Sequence, residues 1–562
     1  MSREQRSAVE RALVAGSLVA ALLIPLLSCA ALFPLVINMP TWDQWSEIEV
    51  FSAHYEGRPV LPLLLKPYNG HLNIVPRVIF YVMGVATHWN IHAEIAASWI
   101  IAFGTLTLLL IALARQKMLI LAAPVSAQAF SMLQFENFLS GYPMGQNLSQ
   151  FLSTLAIVLL TLPRVPAAAF ATAAVAVILS TFSWGAGLAG WYVGVVVLVL
   201  RRERSRWRWA IWLALTLAMT LVVKMSASGA FGAIPWKSVV SFFLSLLGKA
   251  WSPYAFPITW ATIRLGAIAF VFFALLVAWH FWKGLVAARL PWIALGLLAL
   301  AASGLIALGR ASSGLPQSLA SHYVTATYTL VVACIALSYS FLQALAQRWK
   351  AVMALAVIVV VLPVLHGASI ARQSLPSFHS WKLVIYQNSL AISRGTASDE
   401  QIRASHHPDV TLVRSGVDVL RAHRLAWFHD FQDGSMAVGS VDRIAQQRAD
   451  APEITIDAGQ PWSIEGWAVR SRSYGGEVKG VSVYVDGKWM ESAQLDLQRN
   501  DVMDFYKSAG FLNSGWTIPV PPDAVEPGRH RLWIAVMDFG DGLHVLFDRD
   551  VQFTSPARSD TH

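Results

Sequence analysis

Charged residues are scarce in this chain, and acidic residues are nearly missing from its first two thirds. Only 13% of the 562 residues are charged while 56% are hydrophobic, and nine of the 33 Asp and Glu residues precede Asp399. Globular domains carry about 25% charged residues, so this composition is typical of a multi-span membrane protein. The return of acidic residues at Asp399 predicts a soluble C-terminal segment.

Cysteines and several catalytic motifs are also rare or missing. Cys29 and Cys334, the two cysteines, lie within apolar runs, so the C-terminal segment holds neither a disulfide nor a thiolate metal site. The sequence contains no Walker loop, dinucleotide-binding glycine fingerprint, His-Glu-x-x-His site or serine-hydrolase elbow. Any energy for a reaction is therefore expected to come from the substrate itself.

Long apolar runs predict a polytopic α-helical membrane protein with about eleven transmembrane helices. Several runs are shorter than the ~20 residues that a full span prefers. The runs are 12–37, 95–114, 118–133, 147–162, 167–183, 188–200, 209–223, 258–278, 292–308, 323–345 and 351–366.

The distribution of Lys and Arg predicts the orientation of these spans. Most loop cations fall in alternate loops if the N-terminus is cytoplasmic, as the positive-inside rule requires. This holds if residues 71–89, which contain Pro76 and Arg77, lie in the outer interface without spanning. Residues after 366 then share the outer side with the loops that contain Asp43 and Glu136. Because topology explains the net charge of +9, no nucleic-acid partner is predicted.

The pattern changes after the last apolar run. Residues 409–431 have apolar positions near helical spacing, which predicts a small helical connector. Residues 452–554 alternate apolar and polar positions around turn signals such as Asp486-Gly487, which predicts a soluble all-β sandwich. The predicted domains are a membrane domain at 1–368 with interfacial helices in the first outer loop (39–92), a connector at 369–450 and a sandwich at 451–556.

Three acidic residues near the outer ends of helices are candidate catalytic groups. Asp43 and Glu47 follow the first apolar run, four residues apart, so an α-helical loop would place both carboxylates on one face. Asp43 is a candidate general base at the membrane surface, while a solvated loop between belt tryptophans is the alternative. Glu136 lies among amides and glycines, where it orients an acceptor, supports a cation or caps a loop.

Cationic and polar residues at the same predicted ends are candidate substrate ligands. A phosphate group requires cationic partners, and Arg310 is favoured because it ends an apolar helix before a Ser- and Gly-rich turn. Snorkelling of Arg310 to the interface is the alternative. Lys66 and Arg264 are further candidates for the donor phosphate. Residues predicted to bind other parts of the substrate are His71, Gln146, His322 and Tyr323.

The segment Trp42-Asp43-Gln44-Trp45, followed by the interfacial segment 71–89, resembles the first outer loop of GT-C class integral-membrane glycosyltransferases, relatives of protein O-mannosyltransferases and lipid A aminoarabinose transferases. Many members have an Asp-Glu pair followed by a His-Pro-Pro or Lys-Pro-Pro segment, whereas this chain has Asp43-Gln44 and residues 69–76. The resemblance implies a GT-C-like fold, a catalytic role for Asp43 and an inverting transfer from a polyprenyl-phosphate sugar.

The C-terminal segment, with Gly466-Trp467-Ala468-Val469 and Arg499-Asn500-Asp501-Val502, resembles a sandwich module found beside bacterial glycan-building domains. Its tryptophans Trp467, Trp489, Trp516 and Trp533 either stack on sugar rings or pack in the core.

The expected function is transfer of a sugar from a polyprenyl-phosphate donor to an outer-face glycan or lipid-linked acceptor at a bacterial inner membrane. The C-terminal domain is expected to be periplasmic or extracellular. No cofactor is expected, although a divalent cation is left open. One alternative is a polysaccharide polymerase or ligase with a diphosphate-linked donor, and another is a flippase or transporter, which Glu94 and Arg264 favour.

Overall fold

A computed structural model describes residues 3–67, 72–226, 235–253, 259–346, 353–393, 395, 397–430, 437–470, 478–486, 488–538 and 542–554. The chain divides into two compact units. The first contains Met1–Phe33 and Ser46–Ser374, and the second contains Pro34–Trp45 and Leu375–His562. The first unit is helical, whereas the second combines helices with a β-rich domain.

Apolar sequence forms the helices of the first unit, because a helix satisfies its own backbone hydrogen bonds in an apolar environment. Its helices are α1 (Arg3–Leu32), α2 (Ile48–Tyr55), α3 (Leu61–Leu64), α4 (Ile74–Thr87), α5 (Ile91–Arg115), α6 (Ala122–Ala129), α7 (Glu136–Leu139), α8 (Met144–Leu160), α9 (Ala167–Thr181), α10 (Ala189–Leu200), α11 (Arg206–Ser226), α12 (Trp236–Lys249), α13 (Thr259–Trp282), α14 (Val286–Arg310), α15 (Val324–Ala346) and α16 (Met353–Ser393), which continues into the second unit.

Seven helices within the described ranges are long and apolar enough to cross a membrane. They are Ala8–Leu35, Ile91–Arg115, Arg206–Ser226, Trp260–Trp282, Val286–Ser313, Ser321–Ala346 and Leu355–Ser393. Five shorter apolar helices are Ile74–Thr87, Leu119–Gln134, Met144–Leu160, Ala167–Thr181 and Gly185–Leu200. The helical membrane architecture is therefore confirmed in outline, and the number of eleven spans stays a prediction.

Helices α12 and α13 form a close pair because two glycines lie where they cross. A Cβ atom added at Gly248 would lie 1.8 Å from the carbonyl oxygen of Thr262, and one at Gly266 would lie 1.7 Å from that of Leu244. The Ser245 hydroxyl lies 3.0 Å from the Thr262 hydroxyl and pairs the two helices further. The glycine crossing and this hydrogen bond hold α12 against α13. No apolar run in the sequence predicted α12.

A buried ion pair organises the loop between α1 and α5. Arg77 Nε on α4 donates to Glu47 Oε1 at 2.8 Å, and both side chains are at most 7% exposed. Arg77 Nη1 also donates to the carbonyl oxygens of Leu63 at 2.7 Å and Lys66 at 3.0 Å. Burial raises the pKa of the Glu47 carboxyl, although the charge and hydrogen bond of Arg77 oppose the shift.

Three short helices follow α16 in the second unit: α17 (Asp399–Ser405), α18 (Val410–Ala422) and α19 (Trp427–Asp430). A capping box begins α17, in which Ser398 accepts from the Gln401 backbone and Gln401 accepts from the Ser398 backbone. The buried His406 follows α17, with its ring nitrogens 2.7 Å from the Ser405 hydroxyl and 3.0 Å from the Ser389 hydroxyl.

The burial of His406 predicts a pH-dependent stability of the second unit. Burial lowers the pKa of this imidazole from 6.5 to about 3, so the unfolded state binds a proton at a pH where the folded state does not. The free energy of unfolding should therefore fall by about 1.4 kcal/mol per pH unit as the pH drops below about 6.5. Hydrogen exchange of α17 between pH 7 and 5 measures this slope. His406→Asn, which cannot titrate, should lose most of it, and an unchanged slope in that variant would contradict the assignment.

Nine strands form the β-rich domain. They are β1 (Ala437–Ile444), β2 (Gln447–Arg448), β3 (Thr455–Asp457), β4 (Trp462–Arg470), β5 (Val478–Val485), β6 (Lys488–Ala493), β7 (Gly515–Val520), β8 (Gly528–Asp538) and β9 (Gly542–Thr554), with one helix, α20 (Asn500–Tyr506). One sheet has the order β2-β1-β4-β7 and the other β3-β9-β8-β5-β6. Strands β1 and β2 lie within the segment that the sequence assigned to the helical connector.

Alternating side chains from both sheets form one buried core, as in a sandwich. Ile464 on β4 and Ile518 on β7 meet Val483 on β5 and Ile534 on β8, and all four are fully buried. The prediction of a C-terminal β-rich domain is confirmed. Strand β4 follows the period-2 pattern that the sequence shows, whereas β8 is buried on both faces from Leu532 to Val536.

Candidate functional site

Two segments far apart in sequence meet at Glu136, the first residue of α7. The second segment is the 3-10 helix Ser321–Tyr323, which precedes α15. The Glu136 backbone N–H donates to Ser321 Oγ at 3.2 Å, and the His322 backbone N–H donates to Glu136 Oε2 at 3.3 Å. The same carboxylate oxygen pairs with His322 Nδ1. The structure thus brings together Glu136, His322 and Tyr323, three of the residues predicted from sequence.

The carboxylate of Glu136 determines how the imidazole of His322 is oriented. Burial alone would raise the Glu136 pKa, but hydrogen bonds and charge from His322 and a hydrogen bond from Ser321 hold that pKa below its ordinary value. Glu136 is therefore ionised at neutral pH and favours a proton on His322 Nδ1. In neutral His322 the lone pair is then on Nε2, the arrangement of a general base oriented by an acid.

A buried hydrogen-bond network holds these two segments in place. Asn137 Nδ2 donates to the His322 carbonyl oxygen at 3.3 Å and also to Thr325 Oγ1, which donates to Gln134 Oε1 at 2.9 Å. On the other side, Ser98 Oγ of α5 donates to the Asn137 carbonyl oxygen at 3.1 Å. These hydrogen bonds connect both segments to buried neighbours, so they position the imidazole before any substrate arrives.

Aromatic rings extend from the imidazole. The rings of His322 and Tyr323 have centroids 4.2 Å apart, and Tyr323 is nearly parallel to Trp184 at 6.5 Å. The predicted ligand Gln146 follows Gly145, where an added Cβ atom would meet the carbonyl oxygen of Ser183 at 2.8 Å. Gln146 Oε1 is enclosed and accepts no hydrogen bond from the residues that the structure describes.

Lys249, the last residue of α12, is a half-buried cation whose charge interacts with that of Glu136. Ser245, one turn earlier on the same face of α12, lies 2.7 Å from Ser318 Oγ, three residues before Ser321. Burial lowers the pKa of the Lys249 ammonium, and the charge of Glu136 acts against that shift. Sequence analysis gave Lys249 no function. Its position at the end of a short helix with an apolar face was the available signal.

The predicted phosphate ligands lie in different surroundings. Arg310 ends α14 and begins the connection 311–323 that carries His322, and its side chain is half-buried. Lys66 is exposed and lies 3.9 Å from the Glu49 carboxylate. Arg264 is exposed on α13, five residues after its start. Of these three, Arg310 is the one whose connection leads into the site.

The remaining predicted residues have their own local surroundings. Glu47 is enclosed in its ion pair with Arg77, so its carboxylate serves the fold of the first loop. Asp43 belongs to the second compact unit and is half-buried. Asp43 and Glu47 lie in a 3-10 helix, Trp42–Glu47, whose three residues per turn separate positions four apart by about 120°, so the α-helical condition for a shared face is not met. His71 lies outside the described residues.

Metal ligands do not cluster in the described ranges, where no group of three or more His, Cys, Asp and Glu residues is placed to hold an ion. The Glu136–His322 pair supplies two such groups.

Comparison with known proteins gives no family for this chain. No protein-family model matches it, and no curated protein matches it in sequence. The resemblance to GT-C glycosyltransferases therefore stays a prediction, and the function is argued below from the site itself.

Proposed function

We propose that this chain is a membrane glycosyltransferase that moves a sugar from a polyprenyl-phosphate donor to a glycan or lipid-linked acceptor. The observation that carries the proposal is the Glu136–His322 pair, with Lys249 as a cation nearby. When a hydroxyl displaces the phosphate from a sugar, the reaction requires two groups, a base and a cation. The base takes the proton of the attacking hydroxyl, and the cation stabilises the phosphate that leaves.

The reaction is a single displacement at the anomeric carbon. The acceptor hydroxyl gives its proton to His322 Nε2 while its oxygen forms a bond to C1 of the sugar. The bond between C1 and the phosphate oxygen breaks, and polyprenyl phosphate leaves with the bonding electrons. Attack and departure take place on opposite faces of the sugar, so the configuration at C1 inverts. The Glu136 carboxylate stabilises the imidazolium that forms.

Lys249 and Arg310 bind the donor phosphate in this proposal. The leaving group gains negative charge as the C1–O bond breaks, so a cation contributes more in the transition state than in the ground state. Partial burial strengthens the attraction between the Lys249 ammonium and a phosphate. Arg310 can bind two phosphate oxygens at once through its planar guanidinium.

Membrane topology agrees with this site. The donor has an apolar polyprenyl tail, which suits a chain with seven helices able to cross a membrane. Eleven spans with a cytoplasmic N-terminus would put the connections around Glu136 and His322 on the same outer side of a bacterial inner membrane. The contact between Glu136 and His322 requires these connections to share a side.

A donor panel in proteoliposomes tests the function. Purified protein is supplied with sugars on polyprenyl monophosphate or oligosaccharides on polyprenyl diphosphate, together with a membrane glycolipid extract as the acceptor. We expect product from the monophosphate donors alone. Product from the diphosphate donors alone would identify a polymerase or ligase, and movement of intact donor across the bilayer without product would identify a transporter.

The same assay decides between two candidate bases. The resemblance of the first loop implies that Asp43 is the base, whereas the pair at Glu136 favours His322. If His322 is the base, Asp43→Asn should retain transfer within about 10-fold of wild type, because a general base contributes about 10²–10⁴-fold. A loss of that size in Asp43→Asn would assign the base to Asp43.

A further inference from the structure

The outer face of the four-stranded sheet carries a half-buried tryptophan. Trp462, Ile464 and Ala468 of β4 point into the core, so the alternation of the strand places Trp467 on the opposite face. Its neighbours across the sheet are Ser440 on β1 and Gly515 on β7. Because these neighbours are small, they leave the indole face uncovered from the sides.

Three further aromatic rings lie next to Trp467. Together, Trp467, Phe505, Tyr506 and Phe511 form a surface that we call the aromatic platform. The Tyr506 ring is the hub, with centroids 6.1 Å from Trp467, 5.0 Å from Phe505 and 5.5 Å from Phe511. Phe505 is 78% exposed. Trp467, Tyr506 and Phe511 are half-buried, so the four rings form a partly exposed aromatic patch, which is a candidate binding surface.

Ion pairs fix the platform on the sheet. Arg499, directly before α20, donates to Asp442 on β1 at 2.7 Å and to both carboxylate oxygens of Asp501 at 2.8 and 2.6 Å. Gly515 lets this segment approach β7, since a Cβ atom there would lie 2.9 Å from Arg499 Cγ. The rings are therefore held in position and lose little conformational entropy when a ligand binds.

The charges around the platform select the kind of ligand. Asp501 and Asp504 on α20 are exposed, Asp501 pairs with Arg499, and the exposed Lys507 follows the helix, so the charges around the rings balance. A surface that docks on an anionic bilayer carries an excess of Lys and Arg around its apolar residues, and this surface has none. Rigid aromatic faces bordered by hydrogen-bonding groups suit the apolar faces and hydroxyls of neutral sugar rings.

We propose that the aromatic platform binds a neutral glycan chain by stacking sugar rings on Phe505 and Trp467. The three other described tryptophans of the domain do not take part, because Trp462, Trp516 and Trp533 are buried, and the side chain of Trp489 lies outside the described residues. Binding itself does not depend on the proposed function. The assignment of that glycan as the acceptor for transfer does rest on it.

Binding of labelled glycans by the full chain in nanodiscs tests the platform. The probes are fluorescent unbranched hexasaccharides of glucose, mannose and N-acetylglucosamine, read by polarisation. Phe505→Ala should raise the Kd of the bound hexasaccharide about 10-fold without affecting folding, because the ring is exposed. The double variant with Trp467→Ala should abolish detectable binding. Val545→Ala, an exposed apolar residue on β9, is the matched control and should bind as wild type.

Three results would overturn the inference. The first is that wild type binds no hexasaccharide, and the second is that Phe505→Ala binds as wild type does. The third is that a spin label on Phe505→Cys collides with lipid-soluble oxygen, since the platform would then contact the membrane. The two proposals can also be separated. If wild type binds glycan, Phe505→Ala does not, and the protein transfers no sugar from any donor, then the platform binds glycan and the proposed function is wrong.

Discussion

His322→Ala is expected to lower kcat for sugar transfer by about 10²–10⁴-fold, because the acceptor hydroxyl loses its general base. Glu136→Gln should also lower kcat, since the amide keeps the size of the side chain but removes the charge that stabilises the imidazolium. KM for the donor should change less than kcat in both variants, because neither side chain binds the phosphate in this account. Initial rates of transfer in proteoliposomes measure both parameters.

Matched variants separate this effect from loss of structure. His88→Ala removes an imidazole from the turn after α4, and Glu453→Gln neutralises an exposed carboxylate before β3. Both should transfer sugar at the wild-type rate. If His322→Ala transferred sugar as fast as His88→Ala, with the same amount of folded protein, the Glu136–His322 pair would have no role in catalysis.

Arg77→Met is expected to lower the free energy of unfolding by about 3–5 kcal/mol, because it leaves the Glu47 carboxylate buried without its partner. The carbonyl oxygens of Leu63 and Lys66 also lose their donor. Denaturant unfolding of the detergent-solubilised protein gives the difference. Arg58→Met is the matched control, since Arg58 pairs with Glu56 where both side chains are 49% exposed, and it should cost about 0–1 kcal/mol.

The double variant Glu47→Gln/Arg77→Met tests the cause of the loss. Replacing both members of a buried pair removes the isolated charge, so it should be less destabilising than Arg77→Met alone. Two results would contradict the account of the first loop. One is that the double variant loses as much free energy of unfolding as the sum of the losses in Glu47→Gln and Arg77→Met. The other is that Arg77→Met loses no more free energy of unfolding than Arg58→Met.

Local patterns predicted the broad architecture because they report on burial within one element. The apolar runs correspond to helices such as α5 and α15, and the alternation after residue 452 corresponds to strands such as β4 and β8. The same patterns missed α12, in which three serines and two lysines are interspersed among the apolar residues. They also missed β1 and β2, whose eight and two residues give little alternation to detect.

Pairings between distant residues could not be predicted from one sequence. Glu136 and His322 were each selected as candidates, but their contact joins positions 186 residues apart. Lys249 shows the same limit, since its relation to Glu136 depends on how α12 packs on α13. Glu94 was a feature of the transporter hypothesis, and in the structure it accepts a hydrogen bond from Trp89 Nε1 at 2.9 Å. That contact gives a buried acid a local structural role.

The measurement that tests the central claim most directly is the mass balance of one reaction in proteoliposomes. A donor with a radiolabelled sugar on polyprenyl monophosphate is incubated with protein and acceptor, and the labelled glycan and the free polyprenyl phosphate are both quantified. The account predicts equal molar amounts of the two products from wild type and almost none from His322→Ala. Intact labelled donor on the far side of the bilayer, with no free polyprenyl phosphate, would contradict it.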